Sequence, residues 1–128
     1  MKKSKLLQNQ EGFTLVEIIA VLIILGILAA VAVPRYIDLE ANARQRAIDA
    51  GISELNGRES LTWADQKISI TGYTDDATLF GVVNYTLGAD YSWSGLLATG
   101  GDLIFRNTTT VTLTRTASTD AQPATWSR

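Results

Sequence analysis

The 128-residue sequence contains no cysteine and no histidine. Without histidine, the chain cannot use a Ser-His-Asp or Cys-His arrangement for catalysis, and it lacks a ligand of the common zinc sites. Without cysteine, no disulfide can stabilise the fold, which must depend on packing within the chain or against neighbours. Carboxylates alone still support some catalysis, but these absences argue against an enzyme. We therefore expect no enzymatic activity and no cofactor.

An excess of positive charge is also missing, because 11 Lys and Arg face 13 Asp and Glu, for a formal net charge of −2. No basic patch is available to neutralise phosphates, so we expect no nucleic-acid partner. The acids of the C-terminal half do not follow the spacing of a calcium loop. We expect them to be solvated loop acids and expect no metal site. They are Asp75, Asp76, Asp90 and Asp102.

One apolar block stands out near the N-terminus. Residues 18–33 are uninterrupted apolar residues or glycine, and they follow a polar start, residues 1–12, that carries three lysines. Counted from Phe13, the block is long enough to cross a membrane, which takes about 20 residues. The lysines predict that the N-terminus stays in the cytoplasm.

Two interpretations of this block compete. In the first it is a secretory signal, cut after the A-x-A match at residues 30–32, so that everything before Val33 is removed. In the second the apolar helix is retained. Glu17 distinguishes them, because a carboxylate costs roughly 2.5–3.5 kcal/mol at a helix centre and less near its end. A discarded segment gains nothing from that cost, so we favour retention.

The helical pattern continues beyond the block. Residues 36–64 have no proline and many helix formers, so we predict one long helix over residues 14–64, apolar first and amphipathic second. Pro34 is expected to kink it, and Gly26 to weaken it. Glu59 interrupts the apolar face. The residues that share this face at helical spacing are Ala41, Ile48, Ile52 and Leu55.

The remaining residues, 65–128, are expected to form a small β-rich region. Residues 102–106 and 110–115 alternate like two strands, with residues 107–109 as a hairpin turn. Their apolar side chains are expected to pack on the helix, which gives an α+β fold with a small antiparallel sheet. The side chains expected to meet are Ile48, Ile52 and Leu55 with Leu103, Phe105, Val111 and Leu113.

Other parts of this region are less regular. Residues 67–71 alternate and predict a short strand. Residues 78–86 fit a short helix or a strand equally well. Residues 88–101, rich in glycine, serine and aromatics, are expected to form a surface loop. The last dozen residues are expected to be a tail or an edge segment, with Trp126 packed back on the domain.

The stretch GFTLVE, residues 12–17, follows a short leader with lysines and precedes an apolar run that ends at Pro34. It resembles the N-terminus of type IV prepilins and pseudopilins, and the resemblance covers about residues 1–64. A looser similarity, to the mannose-sensitive haemagglutinin type of pilin, lies in residues 33–39 and 43–45.

The resemblance implies a processing pathway. Prepilin peptidase would cut between Gly12 and Phe13, removing residues 1–12 as a cytoplasmic leader, and Phe13 would then be N-methylated. Glu17 would pair with the N-terminal ammonium of a neighbouring subunit in an apolar surrounding, where an unpaired charge is costly. The alternatives are that Glu17 binds its own Phe13 amine or reaches solvent, and that Thr14 simply caps the helix.

The resemblance also implies a function. We expect a structural subunit of a type IV pilus, held in the bacterial inner membrane by residues 13–33 and then extracted into a helical, extracellular homo-oligomer. Expected partners are the peptidase, a platform protein and an assembly ATPase, and the helix between Gly26 and Pro34 is expected to loosen on assembly. The alternatives are a pseudopilin of a type II secretion system and a secreted or anchored binding module that does not polymerise.

Overall fold

The structure, a computed structural model, describes residues 12–128. The first eleven residues of the expected leader lie outside the described residues. The described residues divide into two compact units, one that ends at Glu40 and one that spans residues 41–128.

The long predicted helix is confirmed as α1, Leu15–Ile68. The helix is continuous through Gly26 and Pro34 in this structure. It ends four residues later than expected, so the predicted strand over residues 67–71 is wrong. The chain leaves the helix through Ser69, whose hydroxyl donates to the carbonyl of Gln66 (2.7 Å), and through Gly72, whose φ of +70° suits glycine.

A second helix, α2, spans Asp76–Val82. Asp75 caps it, since its Oδ1 accepts a hydrogen bond from the backbone N–H of Thr78 at 2.7 Å. The segment 78–86, which fitted a helix or a strand, is therefore helical in its first part. Asp75 acts as a helix cap, so it has a local structural role beyond solvation.

Within residues 12–128, the antiparallel strands that form one sheet are β1 Tyr91–Leu97, β2 Gly100–Phe105, β3 Thr109–Thr116 and β4 Thr125–Ser127. They pair in the order β1-β2-β3-β4. The predicted hairpin is confirmed as β2 and β3, although its turn lies at Arg106 and Asn107, which both have positive φ (50° and 55°). Trp126 is buried in the edge strand β4, as expected for the C-terminal segment.

The prediction of a surface loop over residues 88–101 is wrong, because most of it forms β1 and the start of β2. Tyr91 and Trp93 are half-buried and alternate with exposed serines, which is the pattern of a strand with one face on a core. Gly100 is required where the strands turn, since a Cβ there would lie 2.2 Å from the carbonyl oxygen of Leu113. The glycines that suggested a loop instead permit the close approach of two strands.

The core lies between the amphipathic part of α1 and one face of the sheet, within residues 41–128. The predicted contact set is confirmed: all seven side chains belong to one cluster. Ala41, which shares their helical spacing, is exposed. The buried members of the cluster are Ile48, Leu55, Leu79, Val83, Tyr85, Leu103, Leu113 and Trp126.

Candidate assembly site

The start of α1 brings Thr14 and Glu17 together. The Oε2 atom of Glu17 accepts hydrogen bonds from the backbone N–H of Thr14 (2.7 Å) and from its hydroxyl (2.9 Å). The hydroxyl oxygen of Thr14 accepts in turn from the N–H of Glu17 (3.2 Å). This is a capping box, in which two otherwise unpaired donors of the helix start are satisfied reciprocally. In the isolated chain Thr14 therefore caps the helix, which was one of the alternatives that the sequence left open.

The surroundings of Glu17 are apolar and open. A recess of about 500 Å³ lies beside it, lined by Phe13, Ile18, Ala20 and Val21. Phe13 is 85% exposed, so the residue that would carry the new N-terminus is accessible. The Glu17 carboxylate and the accessible Phe13 therefore lie at the same recess of an apolar surface.

Among residues 12–128, nothing covers the apolar part of α1. Every side chain from Leu15 to Val33 is exposed, and by length and composition α1 is able to cross a membrane. A helix that is apolar on all sides needs lipid or other helices around it. Gly26 and Pro34 lie further along this surface, away from the Glu17 turn, and a Cβ at Gly26 would contact nothing.

A second polar site, in residues 41–128, was missed from the sequence. Glu59, expected only to interrupt an apolar face, is fully buried. Its Oε1 accepts from Arg115 Nε (2.6 Å), Tyr85 Oη (2.9 Å) and Trp126 Nε1 (3.0 Å), and its Oε2 accepts from Arg115 Nη2 (3.2 Å). One carboxylate thus holds α1, β3, β4 and the segment after α2 together.

Arg115 is the cation at the centre of this network. Its two terminal nitrogens donate to both carboxylate oxygens of Asp76 (2.8 and 2.9 Å), and Nη1 also donates to the carbonyl of Ala98 (3.1 Å). With the two bonds to Glu59, all five N–H groups of the guanidinium are used. Such a fully bonded ion pair is the condition under which buried charges are tolerated.

Asp76 is the third charged member, so its expected role as a solvated loop acid is wrong. It also accepts from the backbone N–H and the hydroxyl of Ser118, both at 2.7 Å. Burial alone would raise the pKa of Asp76, but the hydrogen bonds from Arg115 and Ser118 outweigh burial and lower it to about 2. Burial and the hydrogen bond to Glu59 raise the pKa of the Tyr85 hydroxyl.

The other two aspartates of the set also have partners. Asp90 pairs with Arg106 at 3.1 Å on the surface, and Asp102 accepts from the hydroxyl of Thr112 at 2.7 Å. Among residues 12–128 there is no group of three or more acids, histidines or cysteines that could hold a metal ion.

The C-terminal strand is attached to α1 by noncovalent contacts. Asn56 pairs with the backbone of Trp126 in both directions, at 3.1 and 2.6 Å. Arg128 pairs with Asp49, and Lys67 pairs with Asp120 at 2.5 Å. These contacts and the Glu59 network connect the C-terminal segment to the helix without a disulfide.

The sequence did contain a signal for the network. Glu59 falls at helical spacing from the core residues Ile48, Ile52 and Leu55, and Arg115 follows Leu113 at strand spacing on the inward face of β3. Two opposite charges at inward positions of two packed elements indicate a buried ion pair. Nothing in the local pattern pointed to Asp76.

Lowering the pH should weaken the fold through Asp76. Its pKa is lower in the folded chain than the ordinary 3.8, so its contribution is present above about pH 4 and is lost as the pH falls towards 2. The shift corresponds to about 2 kcal/mol at neutral pH. Urea unfolding of the full chain in detergent micelles should show Asp76→Asn less stable than wild type at pH 7, with the difference shrinking at pH 2.

Asp90→Asn is the matched control, because Asp90 forms an exposed ion pair, which contributes about 0–1 kcal/mol. A difference between Asp76→Asn and wild type that stays constant from pH 7 to pH 2 would contradict the assignment.

Comparison with known proteins agrees with this architecture. The prokaryotic N-terminal methylation motif matches residues 7–33. The type IV narrow pilus major component of Thermus thermophilus is 52% identical over 57 residues, covering 44% of this chain and 49% of that protein. Fimbrial protein Q of Moraxella bovis is 35% identical over 104 residues, covering 69% of this chain and 66% of that protein.

A third relative, the type IV major pilin protein of Myxococcus xanthus, is 36% identical over 55 residues, covering 43% of this chain and 25% of that protein. The chain thus spans about half of the Thermus protein, about two thirds of the Moraxella protein and a quarter of the Myxococcus protein. No solved structure matches the chain significantly. The relatives are proteins of pili and fimbriae and not enzymes. With the methylation motif, the exposed apolar helix and the small antiparallel sheet, these similarities identify the chain as a member of the type IV pilin family.

Proposed function

We propose that the chain is a structural subunit of a type IV pilus and polymerises through the apolar part of α1. The observation that carries the proposal is the exposed apolar surface of residues 15–33, which begins at the Glu17 capping box. In the inner membrane lipid covers this surface, and in the filament the same surface of other copies covers it. Assembly therefore replaces lipid with other subunits as the apolar surrounding of this surface.

Glu17 supplies the specific contact in this proposal. After prepilin peptidase has cut between Gly12 and Phe13, the new ammonium of one copy pairs with Glu17 of a neighbour. Thr14 uses Oε2 of the carboxylate in the isolated chain, and a carboxylate accepts several hydrogen bonds. The capping box and an intermolecular pair are therefore compatible.

The proposed partners follow from the same pathway. They are the peptidase, a platform protein with its ATPase, and the inner membrane before assembly, after which the filament is extracellular and serves attachment, motility or a related function. A pilus is favoured over a secretion pseudopilus because the matched relatives are named as pilus and fimbrial proteins. A binding module that does not polymerise has less support, because it leaves the apolar surface and Glu17 unexplained.

The proposal is tested by isolating surface filaments from cells that produce the chain and determining the N-terminus of their subunit. We expect filaments whose subunit begins at Phe13 and carries an N-methyl group. A soluble product that begins at Val33 would instead indicate an ordinary secretory signal.

A density map of the same filaments tests the proposed change in the helix. Glycine and proline weaken a helix, so we expect α1 to loosen between Gly26 and Pro34 on assembly. An unbroken helix there in the filament would contradict this part of the proposal.

A further inference from the structure

The C-terminal strand β4 is short, and side chains of α1 attach it to the helix. The strand has three residues and pairs with β3 on one side. Asn56 Nδ2 donates to the carbonyl of Trp126 (3.1 Å), and Asn56 Oδ1 accepts from the N–H of Trp126 (2.6 Å). Glu59, almost one turn further along α1, accepts from the indole N–H of the same tryptophan (3.0 Å). The attachment of β4 therefore depends on the side-chain amide at position 56.

An amide suits this position because it donates and accepts hydrogen bonds at the same time. An ionised carboxylate in its place would still accept from the N–H of Trp126, but its second oxygen would face the carbonyl of Trp126. It would also add a negative charge close to the buried carboxylate of Glu59. Two acceptors that face each other in a half-buried position are costly. Conversion of Asn56 to an acid would therefore release β4.

The residue after Asn56 makes this conversion chemically accessible. Asn56 and Gly57 form the one Asn-Gly pair in the sequence. The backbone nitrogen that follows an asparagine can attack the carbonyl carbon of the asparagine side chain, and glycine hinders this attack least because it has no Cβ. Gly57 is exposed, so water reaches the pair. Packing within residues 12–128 does not require this glycine, since a Cβ there would have no atom within 4 Å.

The folded chain keeps the two reacting groups bonded to other partners. Within α1 the N–H of Gly57 bonds to the carbonyl four residues earlier, that of Ser53. The amide of Asn56 is bonded to Trp126. The reaction requires that β4 leaves Asn56 and that the helix unwinds around Gly57, where glycine already weakens it. Its rate therefore follows the frequency of this local opening.

We propose that Asn56 is a site of spontaneous deamidation, that β4 protects it, and that the reaction makes the release of β4 permanent. The backbone nitrogen of Gly57 loses its proton and bonds to Cγ of Asn56, while the bond from Cγ to Nδ2 breaks and ammonia leaves. Water then opens the cyclic imide at either carbonyl, which gives aspartate or its β-linked isomer. The isomer also adds a carbon to the backbone of α1. Water is the sole co-reactant, and the inference does not depend on polymerisation.

Peptide mapping by mass spectrometry measures the reaction, which replaces the NH2 of Asn56 by OH. The full chain is incubated folded in detergent micelles at neutral pH. Trp126→Phe, which loses the bond to Glu59, should react at least about tenfold faster than wild type, because one hydrogen bond to a charged group changes an opening equilibrium by about this factor. Gly57→Ala should react much more slowly than wild type while all contacts of β4 remain.

Trp93→Phe is the matched control. Trp93 packs on the same core, and its Nε1 donates to the carbonyl of Tyr85 (2.9 Å), but it lies outside β4. Equal acceleration by Trp93→Phe and Trp126→Phe would assign the reaction to global unfolding and overturn the protection by β4. Arg128→Ala, which removes the exposed ion pair of the C-terminal residue with Asp49, keeps the test available if Trp126→Phe does not fold. No acceleration in the folded β4 variants would show that α1 alone protects Asn56.

Asn56→Asp tests the consequence of the reaction. Hydrogen exchange is followed at the backbone N–H of Trp126 in the full chain. We expect exchange at least about tenfold faster than in wild type, since the attachment of β4 is lost. Asn42→Asp adds the same charge at an exposed position of α1 and should leave this exchange unchanged. Unchanged exchange in Asn56→Asp would overturn the role of the amide in holding β4.

Discussion

Replacing Glu17 with alanine is expected to lower filament yield at least about 100-fold. Loss of one partner from a buried ion pair costs about 3–5 kcal/mol, and each 1.4 kcal/mol is a factor of ten in an equilibrium. Insertion into the membrane should not suffer, since removal of a charge makes the helix more apolar. Sheared surface filaments are quantified by electron microscopy and immunoblot, alongside the amount of the variant in the membrane.

Glu17→Gln separates the charge of this residue from its role in the helix cap. The amide oxygen of glutamine still accepts the hydrogen bonds from Thr14, so the capping box is retained. The amide cannot neutralise an ammonium, so we expect the filament yield of this variant to be as low as that of the alanine variant. Asp38→Asn, which neutralises an exposed acid on the same helix, is the matched control and should assemble normally.

The two variants have different consequences for the mechanism. Normal filaments from Glu17→Gln, together with few filaments from Glu17→Ala, would assign Glu17 to helix capping alone. Normal filaments from both would exclude Glu17 from assembly.

Replacing Arg115 with methionine is expected to lower the free energy of unfolding of residues 41–128 by about 3–5 kcal/mol. The arginine side chain is fully buried, and it is bonded to both Glu59 and Asp76. Methionine keeps an unbranched apolar stem but leaves two carboxylates near each other without a counter-charge. Urea unfolding in detergent micelles, followed by the fluorescence of the three tryptophans, measures the loss.

Two further variants make this prediction specific. Arg106→Met removes an exposed ion pair with Asp90 and should cost no more than about 1 kcal/mol. Glu59→Gln should cost less than Arg115→Met, because Arg115 keeps Asp76 as its counter-charge and the amide oxygen still accepts from Tyr85. A cost for Arg115→Met no larger than that for Arg106→Met would show that the network contributes little.

The elements that were predicted from the sequence are those with a regular local pattern. The apolar run and the amphipathic repeat specified α1, and the two alternating runs specified the β2–β3 hairpin. The strand β1 was missed because its glycines and serines are also common in loops. The strand forms because Tyr91 and Trp93 pack onto a core contributed by distant residues.

The end of α1 shows the same limitation. Residues 67–71 alternate, but their first two residues extend a helix that is already formed, and adding a residue to an existing helix is favourable. A pattern of five residues could not decide between the two structures. The position of Gly72, which permits the turn, became informative only once the path of the chain was known.

The sequence by itself determined the exposed apolar helix, its start at Thr14 and Glu17, and the absence of a disulfide, because each depends on residues close together in the chain or on composition. The tertiary structure alone decided that Glu59 and Arg115, 56 residues apart, form one buried network with Asp76. An unpaired charge at the buried positions of Glu59 and Arg115 would be strongly destabilising. The packing of α1, α2 and β3 determined that Arg115 pairs with Glu59 and Asp76. The attachment of the C-terminal strand depends on these partners, because Trp126 donates a hydrogen bond to Glu59. No local sequence pattern predicts the pairing.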